Sequence, residues 1–365
     1  MIRGAETSFR LVLLLLALCF ESDARALDAR GSRFLGFTSF RDFLKETNAT
    51  GIILISPEID PGMDWNELIP SWNFSSTQGE LVFDLRVRDA DHLTKWYCLG
   101  RWASNTQIHS RESVKNQNDD DGNVATDTLE MKRSSRKVQI RVTLTGEPQW
   151  AALNFVGLCF SDTKAIPPPL ASNKNAWGKT LTVKERSQAN YPEGINSWCS
   201  PTSTSMLLSF WAARLHRSDL DHDVPEVARG VNDPNWPGTG NWPFNMAYAG
   251  AHEGVRAYVT RFSDLSEVET WIEKGIPVAL SVSYNLLKGK SQAGSGHLIV
   301  CIGFTGEGGP VVNDPGRKEV HQIYRRENLI KAWADSHNTV YLVYPTGTAI
   351  PADLYGHWWT DRVGN

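Results

Sequence analysis

Asn196-Ser197-Trp198-Cys199-Ser200-Pro201-Thr202-Ser203-Thr204-Ser205-Met206-Leu207-Leu208-Ser209-Phe210-Trp211 decides how the second half of this chain folds. Ser200 is a helix-capping residue type, and Pro201 suits a first helical position, where its missing N–H costs nothing. Leu207, Phe210 or Trp211, and Leu215 recur at helical spacing, which predicts a helix that turns one apolar face inward. Cys199 then sits at the mouth of a helix N-terminus. The helix dipole and the unpaired N–H groups there favour a thiolate and lower a thiol's pKa.

A nucleophile needs a base, and the base needs an orienting partner. Gly296-His297-Leu298-Ile299-Val300-Cys301-Ile302-Gly303-Phe304 reads as a buried strand entered through glycine. Thr305-Gly306-Glu307-Gly308-Gly309 is a turn, and Pro310-Val311-Val312-Asn313-Asp314-Pro315 returns as a strand ending in a carboxylate. A hairpin folded within that turn sets His297 opposite Asp314, with Asn313 the alternative if the register slips. A Cys–His–Asp set of this kind abstracts and returns a proton during acyl transfer. Cys301 shares a strand face with His297, but as an apolar core position.

These segments, in this order, resemble the C39-like branch of the papain-like cysteine peptidases. The matching motifs are Trp198-Cys199-Ser200-Pro201-Thr202-Ser203, Gly296-His297-Leu298-Ile299-Val300 and Val312-Asn313-Asp314-Pro315. The resemblance implies Cys199 as nucleophile, His297 as general base and Asp314 as orienting acid, with no metal or organic cofactor. It also implies a glutamine upstream that donates into the oxyanion hole. Gln188 occupies that segment eleven residues before Cys199, a longer spacing than papain-like enzymes usually have, and Tyr191–Ile195 reads as the inserted loop. The resemblance spans roughly residues 178–345. It implies peptide or protein substrates, hydrolysed through a thioacyl-enzyme. Transfer to an amine, or glutamine deamidation, uses the same site and stays open. Trp198, Trp236 and Trp242 are candidates for the walls of a substrate cleft, although packing would explain them equally well.

Before this region the pattern changes. Ile166-Pro167-Pro168-Pro169-Leu170 and the polar stretch after it read as a linker over 166–176. Upstream, residues 51–55, 81–87 and 138–144 are short β-type runs, the last two alternating apolar with polar residues. An all-β, sandwich-like domain over 27–165 follows, ahead of an α+β peptidase domain over 177–350 and a tail over 351–365. In the peptidase domain the helix carrying Cys199 packs on an antiparallel sheet. Trp65, Trp72, Trp96, Trp102 and Trp150 fill a sandwich core in one reading and stack on sugars in the other. The second reading makes the chain a non-catalytic cell-wall or glycan-binding protein. Asp119-Asp120-Asp121-Gly122-Asn123 lacks the alternating ligands and distal Glu of a calcium loop and reads as a solvated hairpin tip.

Arg3 and Arg10, the apolar run Leu11–Phe20 and Ala24-Arg25-Ala26 have the order of a secretory signal peptide over residues 1–26. A secreted or periplasmic location is expected. In such an oxidising compartment Cys98 and Cys159, both in strand-like stretches, pair in one reading and remain buried free thiols in the other. Of 365 residues 41% are hydrophobic, ample for two cores, and no stretch has the length of a membrane span. With 37 basic against 41 acidic residues there is no excess to neutralise phosphates, so nucleic acid is not an expected partner.

Overall fold

The computed structural model describes residues 28–47, 51–89, 92–107, 110–146 and 152–360. The expected signal peptide and Trp150 lie outside the described residues, as does the end of the expected tail, 361–365.

In chain order the strands of the first half are β1 Ser32–Phe37, β2 Leu44–Thr47, β3 Gly51–Ile55, β4 Trp65–Phe74, β5 Glu80–Asp89 and β6 His92–Leu93. β7 Tyr97–Ala103, β8 Gly122–Ala125, β9 Thr128–Ser135, β10 Lys137–Thr145 and β11 Leu153–Ser161 complete it. They form two antiparallel sheets, β1-β11-β4-β9-β8 and β2-β3-β10-β5-β6 with β7 also paired to β5. Period-two patterning sets which side chains go inside. Val138, Ile140, Val142 and Leu144 of β10 are buried with Leu81, Phe83, Leu85 and Val87 of β5. They share one core with Leu68 and Trp72 of β4 and Val156, Leu158 and Phe160 of β11.

The other side of β11 and β4 is covered too. Phe155 and Cys159, and Ile69 of β4, belong to the core of the second half. That half contains α1 Cys199–Leu215, α2 Val224–Val231, α3 Trp242–Gly250, β12 Val255–Arg261, α4 Leu265–Glu273, β13 Val278–Ser283 and α5 Tyr284–Leu287. β14 Gly296–Phe304, β15 Pro310–Asn313, β16 His321–Ile323, α6 Arg326–Ala334 and β17 Thr339–Pro345 follow. Its sheet is antiparallel in the order β12-β17-β13-β14-β15-β16.

β12 is an edge strand, which exposes unpaired N–H and C=O groups. β4 supplies side chains to them. Asn73 donates to the carbonyl of Ala257 at 2.7 Å and accepts its N–H at 3.2 Å. Ser71 accepts the N–H of Val259 at 2.9 Å, and Glu67 pairs with Arg261 at 2.7 Å. The first half thus caps the sheet edge of the second.

Three expectations about chain organisation change, and one open alternative closes. Residues 166–176 are not a free linker. Leu170 N–H donates to Asp264 at 3.1 Å, and Asn173 bonds Glu269 and Glu273 at 2.7 Å each, strapping the segment to α4. The stretch after 350 is no loose tail either. His357 is buried between Glu267 at 2.6 Å and the Ala29 carbonyl at 2.9 Å, so it bonds to both halves. The Cys98–Cys159 bridge is absent, and both thiols are free. Cys98 lies on β7 of one sheet with its sulfur on the Gly100 carbonyl, and Cys159 on β11 of the other faces the second core. Finally, α1 starts at Cys199 with Trp198 as its cap, and it is buried on all sides from Ser200 to Ala212 rather than along one face. Ser and Thr side chains are small enough for that enclosure, and all their hydroxyls but that of Thr202 find partners. Ser200 meets the Tyr341 hydroxyl at 2.9 Å and Ser203 donates to the Leu298 carbonyl at 3.2 Å. Leu215, expected inside, is 42% exposed beyond the covered stretch.

Candidate active site

Cys199 opens α1, and Trp198 gives no side-chain cap, so the first-turn N–H groups and the dipole act on the sulfur. His297 is the second residue of β14 and is buried. The two elements meet because α1 packs on β14. Burial alone would push the Cys199 thiol up. The hydrogen bond and charge of His297, with the N–H groups of Leu298 and Ser200, reverse this and hold it below the ordinary thiol value.

Nε2 of His297 faces Oδ1 of Asp314 at 2.6 Å. A carboxylate only accepts, so Nε2 carries a hydrogen and Nδ1 is left for the thiol. Burial would lower the imidazole, but Asp314 and Cys199 raise it to about 9. Asp314 is itself fully buried. Burial works to raise its carboxyl, yet the His297 bond and charge, the Tyr324 hydroxyl and the Gly316 N–H hold it below its usual range. Tyr324 donates to Oδ2 at 2.6 Å and Gly316 to Oδ1 at 2.9 Å. The Tyr284 ring lies 4.3 Å from the imidazole, centroid to centroid.

The expected hairpin register is corrected. β14 and β15 pair Val300 with Asn313 and Phe304 with Pro310, with an irregularity between Cys301 and Gly303. Asp314 has left the ladder and reaches back to His297 as a side chain, so strand opposition is not what joins them. Asn313, the alternative partner, donates to the Val183 carbonyl at 3.2 Å instead. Cys301 is a buried core thiol pushed up to about 12 by its burial, the opposite of Cys199.

Cys199 and His297 open into a cavity of about 440 Å3 that Trp236 and Trp242 also line. Trp198 does not line it. Its ring instead covers Gly194 and lies 5.8 Å from that of Tyr191. Gln188 is buried and bonded through its N–H to the Pro315 carbonyl at 2.9 Å, next to Asp314. Its side-chain amide donates one hydrogen to the Ile195 carbonyl at 2.7 Å, and it is not among the lining residues. Sequence reasoning missed Tyr324, Tyr284 and Gly316 around the pair, and missed Ala125, Thr126 and Asp127, which line the same cavity from the first half. A turn residue far upstream carries no local signal of that placement.

Residues 180–341 match the Peptidase_C39 like family. The second half is a C39-like domain. Residues 43–161 match the Peptidase C39 N-terminal domain, so both halves carry descriptions from the same peptidase group. Among solved structures the chain is similar to a C39-like peptidase from Bacillus anthracis, at 14% identity and a TM-score of 0.32, covering 47% of this chain and 96% of that one. It is also similar to the CBM32 of AlyQ in complex with 4,5-unsaturated mannuronic acid, at 16% identity and a TM-score of 0.16, covering 31% and 74%. Likenesses this remote carry no argument here. The comparison with curated proteins gives no match. The C39-like domain thus contains Cys199, His297 and Asp314 within its matched range, along with Gln188.

Proposed function

We propose that this chain is a secreted cysteine peptidase of the C39-like type, built from a β-sandwich over 27–165 and a papain-like domain over 177–350. The observation that carries the reading is the His297 ring, with Nε2 on Asp314 and a thiol held below its ordinary pKa on its other side. Cys199 thiolate attacks the substrate carbonyl carbon. The oxyanion is held by the Cys199 N–H and by the second amide hydrogen of Gln188. The C–N bond breaks as the His297 imidazolium gives its proton to the leaving amine, and a thioester remains. Water then attacks, neutral His297 takes its proton, and the acid leaves as the thiolate–imidazolium pair is restored. Asp314 keeps the ring oriented throughout.

Binding of glycans by the first half draws little support from its rings. Trp65, Trp72 and Trp102 are buried, and Trp96 lies between Arg86 and Arg141 at 4.5 and 4.4 Å. The test is incubation of the purified chain beside Cys199→Ala with a diverse peptide pool, read by mass spectrometry. Cleavage lost in the variant supports the proposal, and intact peptides with both proteins refute it. Hydroxylamine in the same reaction traps the thioester as hydroxamates and so reports the acyl-enzyme, while the masses formed without it separate hydrolysis from transfer to a peptide amine.

A further inference from the structure

The cavity around Cys199 carries one ionisable lining residue beyond Cys199 and His297, and it comes from the first half. Asp127 ends the turn between β8 and β9, where Thr126 adopts φ 63°. The Asp127 residue is 8% exposed. Its Oδ2 accepts the N–H of Trp242 at 2.7 Å, at the start of α3, and its Oδ1 accepts the Thr128 hydroxyl at 3.2 Å. Among the described residues no Lys, Arg or His forms an ion pair with it. Burial pushes its carboxyl up to about 7, only partly offset by these two bonds, and the like charge of Asp233 adds to the rise.

A buried carboxylate without a counter-ion is costly, and a cation arriving beside it would be strongly favoured. A carboxylate offers about four acceptor positions, and two here are filled. The cavity has room for a further donor, and its remaining walls include indole surfaces. Trp236 is 45% exposed and Trp242 half-buried, and both line the same space. Indole faces attract cations. The other polar lining groups, among them Ser197, Thr239 and Ser281, are neutral.

The first half also fixes the loop that bears Trp236. Ser113 N–H donates to Asp233 at 3.1 Å, and Asn235 donates to the Ser113 carbonyl at 2.9 Å. Asp233 also accepts the N–H groups of Asn235 and Trp236. The subsite is therefore assembled across both halves.

We propose that Asp127, Trp236 and Trp242 form a subsite for a cationic group of the substrate, an ammonium or guanidinium carried close to the scissile carbonyl. The proposal rests on the cysteine-peptidase reading and gives the first half a role in choosing the substrate.

The test uses peptidyl vinyl sulfones, which alkylate an active-site thiolate without turnover. N-acetyl-lysyl, N-acetyl-norleucyl and free-amine norleucyl reagents are compared on the full chain, beside iodoacetamide. The lysyl reagent is expected to label Cys199 at least about tenfold faster than the acetylated norleucyl one, as a charge-assisted hydrogen bond would give. If the free-amine reagent carries the advantage instead, the cation recognised is an α-ammonium. Asp127→Asn keeps an oxygen for the Trp242 N–H, and in it the ratio falls towards one. In the native protein the ratio rises with pH through about 7, as Asp127 ionises. That second measurement stands even if the variant fails to fold.

A cation/neutral ratio at or below one for both charged reagents overturns the subsite. So does a ratio unchanged in a folded Asp127→Asn, or failure of all three reagents at a Cys199 that iodoacetamide labels rapidly. Slow iodoacetamide labelling at pH 6 would instead refute the peptidase reading itself.

Discussion

Replacing His297 with Ala removes the group that holds the Cys199 thiol below its ordinary value. Burial, the largest influence on that thiol, then acts against the N–H groups of Leu298 and Ser200 alone. An ordinary thiol with a pKa of about 8.5 is roughly 0.3% thiolate at pH 6, and only the thiolate reacts. A thiol ionised by its imidazolium partner is therefore ahead by up to about 300-fold at pH 6. Lower basicity also makes a thiolate less nucleophilic, with a Brønsted slope of about 0.4–0.5, which reduces the expected advantage to about tenfold or more. The assay is iodoacetamide labelling of Cys199 followed by mass spectrometry between pH 5 and 10. The native protein should label readily at pH 6 and change little until the imidazolium is lost at about 9. His297→Ala should label slowly at pH 6 and gain about tenfold per pH unit up to at least 8.5. Superimposable profiles would refute the ion-pair reasoning.

Gln188→Ala should leave iodoacetamide labelling at the native rate and lower kcat on a cleaved peptide about 100-fold, the usual cost of one oxyanion donor; a kcat within threefold would exclude Gln188. Asn73→Ala strips both backbone groups of Ala257 of their partner, costing about 2–4 kcal/mol in urea unfolding; a change below about 0.5 would show that the sheet edge is not held there. His357 has its pKa raised, its burial outweighed by Glu267, so it adds stability below its ordinary value of about 6.5 that disappears as pH climbs through the folded value. The Tm gap between the native protein and His357→Gln should shrink from pH 6 to pH 9, and a widening gap would reverse the sign. Alkylation of the unreduced chain in guanidinium should modify Cys98, Cys159, Cys199 and Cys301 alike, whereas protection of Cys98 and Cys159 together would restore the bridge.

The elements of the site were legible because each depends on near neighbours in the chain. Pro201 and the residues after Cys199 lead into a helix, and the apolar run after His297 makes a buried strand. The turn before Pro310 returns the chain. Alternation in β5 and β10 marked strands with one buried face for the same reason. The register of β14 against β15 was not legible. An irregularity at one position shifts every later pairing, and nothing local announces it. Trp198 and Trp236 look alike as aromatic residues in polar stretches, yet one packs on Gly194 and the other lines the cavity. Which way a ring turns depends on what approaches from elsewhere in the chain.

By itself, then, the sequence determined a helix with Cys199 at its mouth, a strand opening on His297 and a carboxylate at Asp314, since local propensity and short loops govern all three. Tertiary structure decided that Asp314 rather than Asn313 faces His297, and that the helix is enclosed on every side. It also decided that Cys98 and Cys159 lie apart and that Asp127 joins the cavity of Cys199. Those outcomes depend on contacts between residues 17 or more positions apart, where packing and the pairing of buried polar groups outweigh local preference.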